Sequence, residues 1–577
     1  EDELAFADAA GGATALDLPP ALGGLERRLV LARLIGAWAK QIAPKTAAEA
    51  PLVIGGPAST LQLADDLARL MDDMTTRQVP WDALASLVPE NLDVYWQQTL
   101  QFLRLAADVW PAILEEQQKI EPARRRDLLI EAEARRLAAR HPGPVIAAGS
   151  TGSMPATAKL LEVVARLPNG AVVLPGLDTD LDAAAWRLIG SRTKTTGQPQ
   201  TGAATPGSDG GAPAPGHPQF ALHNLLARFG IDRRDVVPLA PATTHGRELL
   251  ASEALRPSAA TGFWHQRLSE PEIARAIGHG MGSISVVAAP TAEIEALAIA
   301  VAMREAFEQP AMTVALVTPD RALARRVTAS LDRWKLAYDD SGGDALTDTA
   351  AGRFARLCAL AAADGLAPAT LLALLKHPLL RLGRRDGGFA RAIAGLERVL
   401  LRGTRPQSGS AGLKRDFEIF HGEFDKMRGG VPSLLHRGEP RSKIELEILP
   451  LVAELIERLG HAFAPLERLG DGKSHDLTEF AAAHRAVLGA LGTDADDTVV
   501  TFADADGLAL AQGFDDLDAA GGLSGVVLTL ADYPDVFRTA FGDRIVRRPI
   551  TAAARLRIYG PLEARLTTSD RVILGGL

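Results

Sequence analysis

The sequence predicts an α/β protein with two parallel-sheet cores, each interrupted by an all-helical insertion. Three observations predict it. A strand–glycine loop–helix–strand pattern runs over 144–174, and a second strand–helix–strand pattern runs over 284–317. Long stretches of purely helical periodicity precede the first pattern and follow the second, and strand-like runs return after residue 498.

In chain order, 19–140 reads as helical. Leu25, Leu29 and Leu34, then Leu61, Leu63, Leu67 and Leu70, then Trp96, Leu100 and Leu103 recur at helical spacing, interrupted only by a strand-like run at 52–54. Pro122 suits the first turn of a further helix rich in arginine. Residues 144–148 form a short buried-strand pattern that runs into Gly149, Ser150, Thr151, Gly152 and Ser153. A helix from Pro155 to about Leu167, a turn at Asn169-Gly170 and a strand over 171–174 follow. Residues 191–220 are rich in Gly, Pro, Thr and Ser and read as a flexible surface insertion. A helical connection over 221–282 leads to the second unit: strand 284–288, helix 291–307 capped by Thr291, strand 313–317, and a helix from Arg321. Helical periodicity occupies 346–492. Strands are expected at 498–502, 525–530, 556–559 and 571–574, the last of them completing the second sheet.

Composition narrows the function classes. The 577 residues are 47% apolar and 23% charged, ordinary for a globular protein, and no run of about 18 apolar residues suggests a membrane span. The single cysteine, Cys358, excludes a disulfide framework and a four-cysteine metal site in this chain, and points to a reducing, cytoplasmic compartment. The net charge of −9 argues against a uniform basic coat but leaves room for a local basic channel. Of 62 basic residues, 51 are Arg and 11 Lys, a skew in keeping with a GC-rich genome. The sequence starts without Met and stops after a strand-like run, so both ends read as lying inside a longer protein.

Several chemistries can be weighed directly. The 149–153 loop lies between a strand and a helix, where backbone N–H groups and hydroxyls suit a phosphate. It lacks the lysine that a triphosphate-binding loop needs, because Lys159 lies a turn and a half further on. It reads as a nucleic-acid phosphate contact or as a tight structural turn. The helix after Pro319 carries Arg321, Arg325, Arg326 and Arg333, which suit a phosphate backbone or a solvated face equally. The acidic pairs (Asp65-Asp66, Asp72-Asp73, Asp339-Asp340, Asp496-Asp497, Asp504 with Asp506) read as solvated loops, since no lysine stands beside them as a nuclease site requires. His377 reads as a helix-end or core histidine rather than a ligand, and Cys358 as a buried inert thiol.

The segments PVIAAGSTGSMPATAKLLEVVARLPNGAVVLPGLD (144–178), VVAAPTAEIEALAIAVAMREA (286–306), VALVTPDRALARRV (314–327), LLALLKHPLLRLG (371–383) and IYGPLEARLTTSDRVILGGL (558–577) resemble the AddB family in its alphaproteobacterial form. These are the second subunits of bacterial AddAB helicase–nucleases, and the resemblance spans nearly the whole chain. It implies a UvrD-like superfamily 1 helicase fold with two RecA-like cores. The first would comprise a remnant at 1–18, its helical insertion at 19–140 and the core at 141–190. The second would comprise 283–345, an insertion at 346–492 and a return at 493–577. The resemblance also implies binding of single-stranded or duplex-end DNA, an AddA partner that supplies the ATP-driven motor, and a role in end resection and Chi recognition. By position, Gly149, Ser150, Thr151, Gly152 and Ser153 match the strand-contacting loop of the first core. Thr318 and Arg321 match that of the second, and Arg325 is expected to join them in binding nucleic acid. Gly560, Glu563 and Arg565 match the segment that couples nucleotide to DNA in active relatives, with Arg565 also expected to contact nucleic acid. The family's iron–sulfur cluster and Mg²⁺ belong to a nuclease domain expected after Leu577, so neither is expected here. The enzyme alternative is an active ATP-dependent helicase subunit, and the structural alternative is a docking subunit for AddA that makes no DNA contact.

Overall fold

The computed structural model describes residues 18–42, 55–85, 99–100, 102–139, 143–190, 213–239, 246–383, 387–520, 525–547, 554–565 and 567–577. The expected strand at 52–54, the remnant at 1–17, Trp96 and most of the 191–220 insertion lie outside them. The protein is mixed α/β, predominantly helical, with small parallel sheets. No helix among the described residues is long and apolar enough to cross a membrane.

Helices α1 (Gly24–Ile42) and α2 (Pro57–Thr76) form a pair, followed by α3 (Pro122–Ala139), which starts at the expected proline. The first parallel unit is β1 (Val145–Ala148), α4 (Pro155–Arg166) and β2 (Gly170–Val173), with Val145 opposite Gly170. Leu161 and Val164 of α4 are buried, and α3 packs beside α4. Next come α5 (Ala183–Ile189), α6 (Phe220–Phe229), α7 (Arg247–Ala254) and α8 (Pro271–Met281).

The second unit begins with α9 (Ala292–Phe307), capped by Thr291, whose side chain accepts from the Ile294 N–H. β3 (Val314–Val317), α10 (Arg321–Arg333) and β4 (Tyr338–Asp340) follow. After the helical block the chain returns as β9 (Leu556–Tyr559) and β10 (Arg571–Leu574). The four strands form one parallel sheet in the order β10-β3-β9-β4. α9 and α10 cover one face, where Ile299, Met303, Val327 and Leu331 meet Leu316 and Ile558 in one cluster.

Between β4 and β9 lie β5 (Asp344–Ala345), α11 (Ala350–Ala363), α12 (Pro368–Leu375), α13 (Gly387–Leu396), α14 (Gly409–Arg428), α15 (Ile448–Glu467), β6 (His475–Asp476), α16 (Leu477–Gly492), α17 (Ala505–Ala519), β7 (Val527–Leu528), α18 (Tyr533–Phe541) and β8 (Ile545–Val546). Their core is continuous with the N-terminal helix pair: Leu29, Ile35, Leu61 and Leu67 share one cluster with Phe354, Phe463, Phe480 and Phe537. Arg28 fastens this junction. It donates to the Thr539 and Ala540 carbonyls at 3.3 and 3.0 Å, at the C-terminal end of α18, and pairs with Asp65 and Asp543.

Three expected strands are corrected. Residues 284–288 have no regular secondary structure and pair with no strand among the described residues, and Val286 and Val287 are 91% and 73% exposed. Residues 500–502 form a 3₁₀ turn, because Thr501 turns its hydroxyl inward to the Leu488 carbonyl at 3.3 Å, against Gly492. In 525–530 only Val527–Leu528 is a strand, and it pairs antiparallel with His475–Asp476, away from the second sheet.

Candidate nucleic-acid interface

In both parallel units the sequence-predicted residues emerge at the C-terminal ends of strands, where loops of open α/β sheets present ligand contacts. After β1 the chain turns through Gly149 and Gly152, with φ of 81° and 62°. The Gly149 N–H donates to the Val173 carbonyl at 3.1 Å, and Pro155 opens α4. Ser150 and Thr151 are half-buried, and Ser153 is exposed. A Cβ at position 152 would lie 2.7 Å from Leu225 Cδ1 in a left-handed conformation, so only glycine fits this turn. Gly152→Ala is expected to destabilise the first unit by about 1–3 kcal/mol, read as faster amide exchange in β1 and β2. Unchanged exchange would show that the loop is not constrained.

The second sheet gathers Thr318, Arg321, Gly560 and Glu563 on one rim. Thr318, 1% exposed, donates its N–H to the Tyr559 carbonyl at 3.0 Å, and its hydroxyl accepts from the Asp320 N–H at 3.0 Å. Asp320 caps α10 by accepting from the Ala322 and Leu323 N–H groups at 2.7 and 3.1 Å. Arg321 grips Asp340 through two bonds of 2.9 and 2.6 Å and donates to the Gly343 carbonyl at 2.6 Å. The hydrogen bonds to Asp340 raise its pKa above the ordinary value against the effect of burial, with Asp344 and Glu563 adding to the rise. A Cβ at Gly342 would lie 2.5 Å from Arg321 Nη1, and one at Gly560 would lie 2.4 Å from Glu563 Oε2, so both glycines make room for charged side chains. Arg565 is exposed on the turn that follows, where its N–H donates to the Leu562 carbonyl at 3.2 Å.

The α10 arginines are less open than their spacing suggests. Arg325 pairs with Asp348, and Arg326 with Glu293 at 3.0 Å. Such exposed pairs are worth only about 0–1 kcal/mol and can yield to a phosphate, whereas the bidentate Arg321–Asp340 clasp is a structural tie. The solvated-loop reading of the acidic pairs is corrected: Asp65-Asp66 and Asp72-Asp73 lie within α2, Asp339-Asp340 in β4 and Asp506 in α17, and two members are buried as well. Asp65 and Asp340 are each 7% exposed and held by Arg28 and Arg321. Burial pushes the Asp65 carboxyl up to about 6 against the Arg28 charge. Asp506 is also occupied, accepting from the Ala351 N–H at 2.9 Å.

Sequence reasoning missed two rim groups. Glu295 of α9 accepts from the Gly576 N–H at 2.8 Å, and Asp340 orders the turn through the Gly342 N–H at 3.1 Å. The Gly342-Gly343 pair one residue after a short strand was the available signal for the second. A cavity of about 510 Å³ opens beside the rim between α10 and the starts of α11 and α17. Arg325, Arg353 and Arg547 line it together with Asp348, Asp504 and Asp506, a mixture without preference for an anion. Cys358 is fully buried, which raises its thiol pKa well above the ordinary value. His377 ends a helix and stacks on Phe354. Among the described residues, no group of three or more His, Cys, Asp or Glu side chains is placed to hold a metal ion. Compared with protein-family models and with curated proteins, the chain matches none.

Proposed function

We propose that this chain is a helicase-like, non-hydrolysing DNA-binding module of the AddB type. In this reading it holds single-stranded DNA on the strand-end loops of two RecA-like cores while an AddA-type partner supplies ATP-driven movement during double-strand break processing. The observation that carries the reading is the gathering of Thr318, Arg321, Gly560 and Glu563 on one rim of a parallel sheet, with exposed Arg565 beside them. The 149–153 loop occupies the corresponding rim of the first unit and carries no lysine in register for a triphosphate. Backbone N–H groups and hydroxyls there suit individual phosphates of a strand.

Arg565→Ala is the direct test. Binding of a fluorescent single-stranded oligonucleotide, followed by anisotropy at several salt concentrations, is expected to weaken and to lose about one unit of salt slope. An unchanged affinity and slope would remove Arg565 from the interface. The bidentate tie of Arg321 to Asp340 favours a second reading, a docking subunit whose rim is closed to DNA. That reading predicts no oligonucleotide binding by the chain, alone or with its partner. Nucleotide-dependent thermal stabilisation would instead support an active ATPase.

A further inference from the structure

We propose that Glu563 is a displaceable stand-in for a phosphate: its carboxylate occupies the rim of the second sheet when no strand is bound, and the backbone of a bound strand takes its place. The inference rests on the DNA-binding reading above and deepens it, because it says how that rim is regulated.

A carboxylate sits at the C-terminal end of each of the four strands. After β10, Glu295 of α9 accepts from the Gly576 N–H at 2.8 Å. After β3, Asp320 accepts from the Ala322 and Leu323 N–H groups at 2.7 and 3.1 Å. At the end of β4, Asp340 holds Arg321 and the Gly342 N–H. After β9, Glu563 folds back on Gly560, where a Cβ would lie 2.4 and 3.8 Å from its two carboxylate oxygens. Donors and open backbone of this kind at strand ends are what a phosphate uses, so the rim is occupied from within.

The four are not equally fixed. Asp340 is 7% exposed and bidentate, and Asp320 holds the first turn of α10, so both belong to the fold. Glu295 is half-buried on its N–H donor. Glu563 is exposed on the turn 561–565, and among the described residues its carboxylate has no hydrogen bond or ion pair. The nearby charge of Arg321 holds it there, and it leaves without breaking a hydrogen bond. With Glu563 in place, Arg321 has three carboxylates around it, Asp340, Asp344 and Glu563, and the surplus negative charge repels a phosphate. With Glu563 swung out, Gly560 presents an open α-carbon beside a cation, where a phosphate can approach closely.

The test is the anisotropy of a fluorescent oligothymidine with the full chain, unsubstituted or carrying Glu563→Gln or Glu563→Ala, at low and at moderate salt. Both variants are expected to bind about three- to tenfold more tightly at low salt, with the gain shrinking as salt rises. Glutamine keeps the shape of the side chain and alanine does not, so equal gains identify the charge as the cause. Unchanged or weaker binding by the variants, or a gain limited to one folded variant, overturns the proposal and leaves the DNA-binding reading standing. No binding by any of the three proteins overturns both. If one variant fails to fold, the other decides.

Discussion

Glu253→Ala is expected to cost about 3–5 kcal/mol, because it strips the shared counter-ion from two arginines around a buried carboxylate. Glu253 is 3% exposed and accepts from Arg256 at 3.1 Å through each of its oxygens, and from Arg267 at 3.0 and 2.7 Å through one of them. Burial works against its charge, but these bonds prevail and hold its pKa below the ordinary value. Arg256, whose side chain is 1% exposed, reaches on to Asp182 at 2.6 Å, and Asp182 caps α5. The Trp264 indole donates to the Glu253 carbonyl at 2.9 Å. One carboxylate therefore links α5, α7 and the short helix Trp264–Ser269 before α8. The expected readout is loss of amide protection across α5 and α7 and a lower urea midpoint. Replacing Glu253 and Arg256 together by methionine is expected to recover much of the loss, which would identify the unpaired buried charge as the cause. A loss under about 1 kcal/mol for Glu253→Ala would contradict this account.

The second large effect centres on His484, fully buried among Phe514, Tyr533 and Phe537. Its Nε2 meets the Ala355 carbonyl at 3.0 Å, so that nitrogen carries the proton, and its Nδ1 accepts from the Tyr533 hydroxyl at 2.9 Å. His484→Ala leaves both partners unsatisfied beside a cavity and is expected to cost about 2–4 kcal/mol at neutral pH. Burial lowers the His484 pKa to about 3, against 6.5 when unfolded. The unfolded chain therefore takes up the proton first. The His484 contribution is complete above pH 6.5 and is lost progressively as pH falls towards 3. Asp65, raised to about 6, works the other way over part of that range, and so does half-buried His475, whose raised pKa reflects its bond to Asp471. The clean readout is consequently a difference. Between pH 7 and pH 5 the unsubstituted chain should lose about 2 kcal/mol more than His484→Gln, from 1.36 kcal/mol per pH unit. Equal losses would show that His484 does not titrate in this way.

Much of the fold was legible because its signals are local. Pro122, Pro155 and Thr291 mark helix starts, and the short apolar runs that became β1, β2, β3, β9 and β10 are bounded by turns. The failures arise where distant partners decide. The apolar run at 498–502 looks like a strand, but a neighbouring helix draws Thr501 inward. The amphipathic faces of α1 and α2 give no hint that they share a core with residues more than 300 positions later. Asp65 and Asp340 look like loop residues until Arg28 and Arg321 are seen beside them. The 149–153 loop and Arg321 were legible as strand-end positions, whereas Thr318, Gly560, Glu563 and Arg565 were marked out only by the family resemblance. The ion pairs that occupy Arg321 and Arg325 were not, because their carboxylates lie 19 and 23 positions away.

The central claim is that single-stranded DNA lies across the strand-end loops. Photo-cross-linking of a 4-thiothymidine oligonucleotide to the chain in complex with its AddA-type partner, followed by peptide mapping, tests it most directly. Cross-links in 149–153 and 560–565 are predicted. Cross-links confined to other surfaces, such as the arginine-bearing face of α3, or none at all, would contradict it.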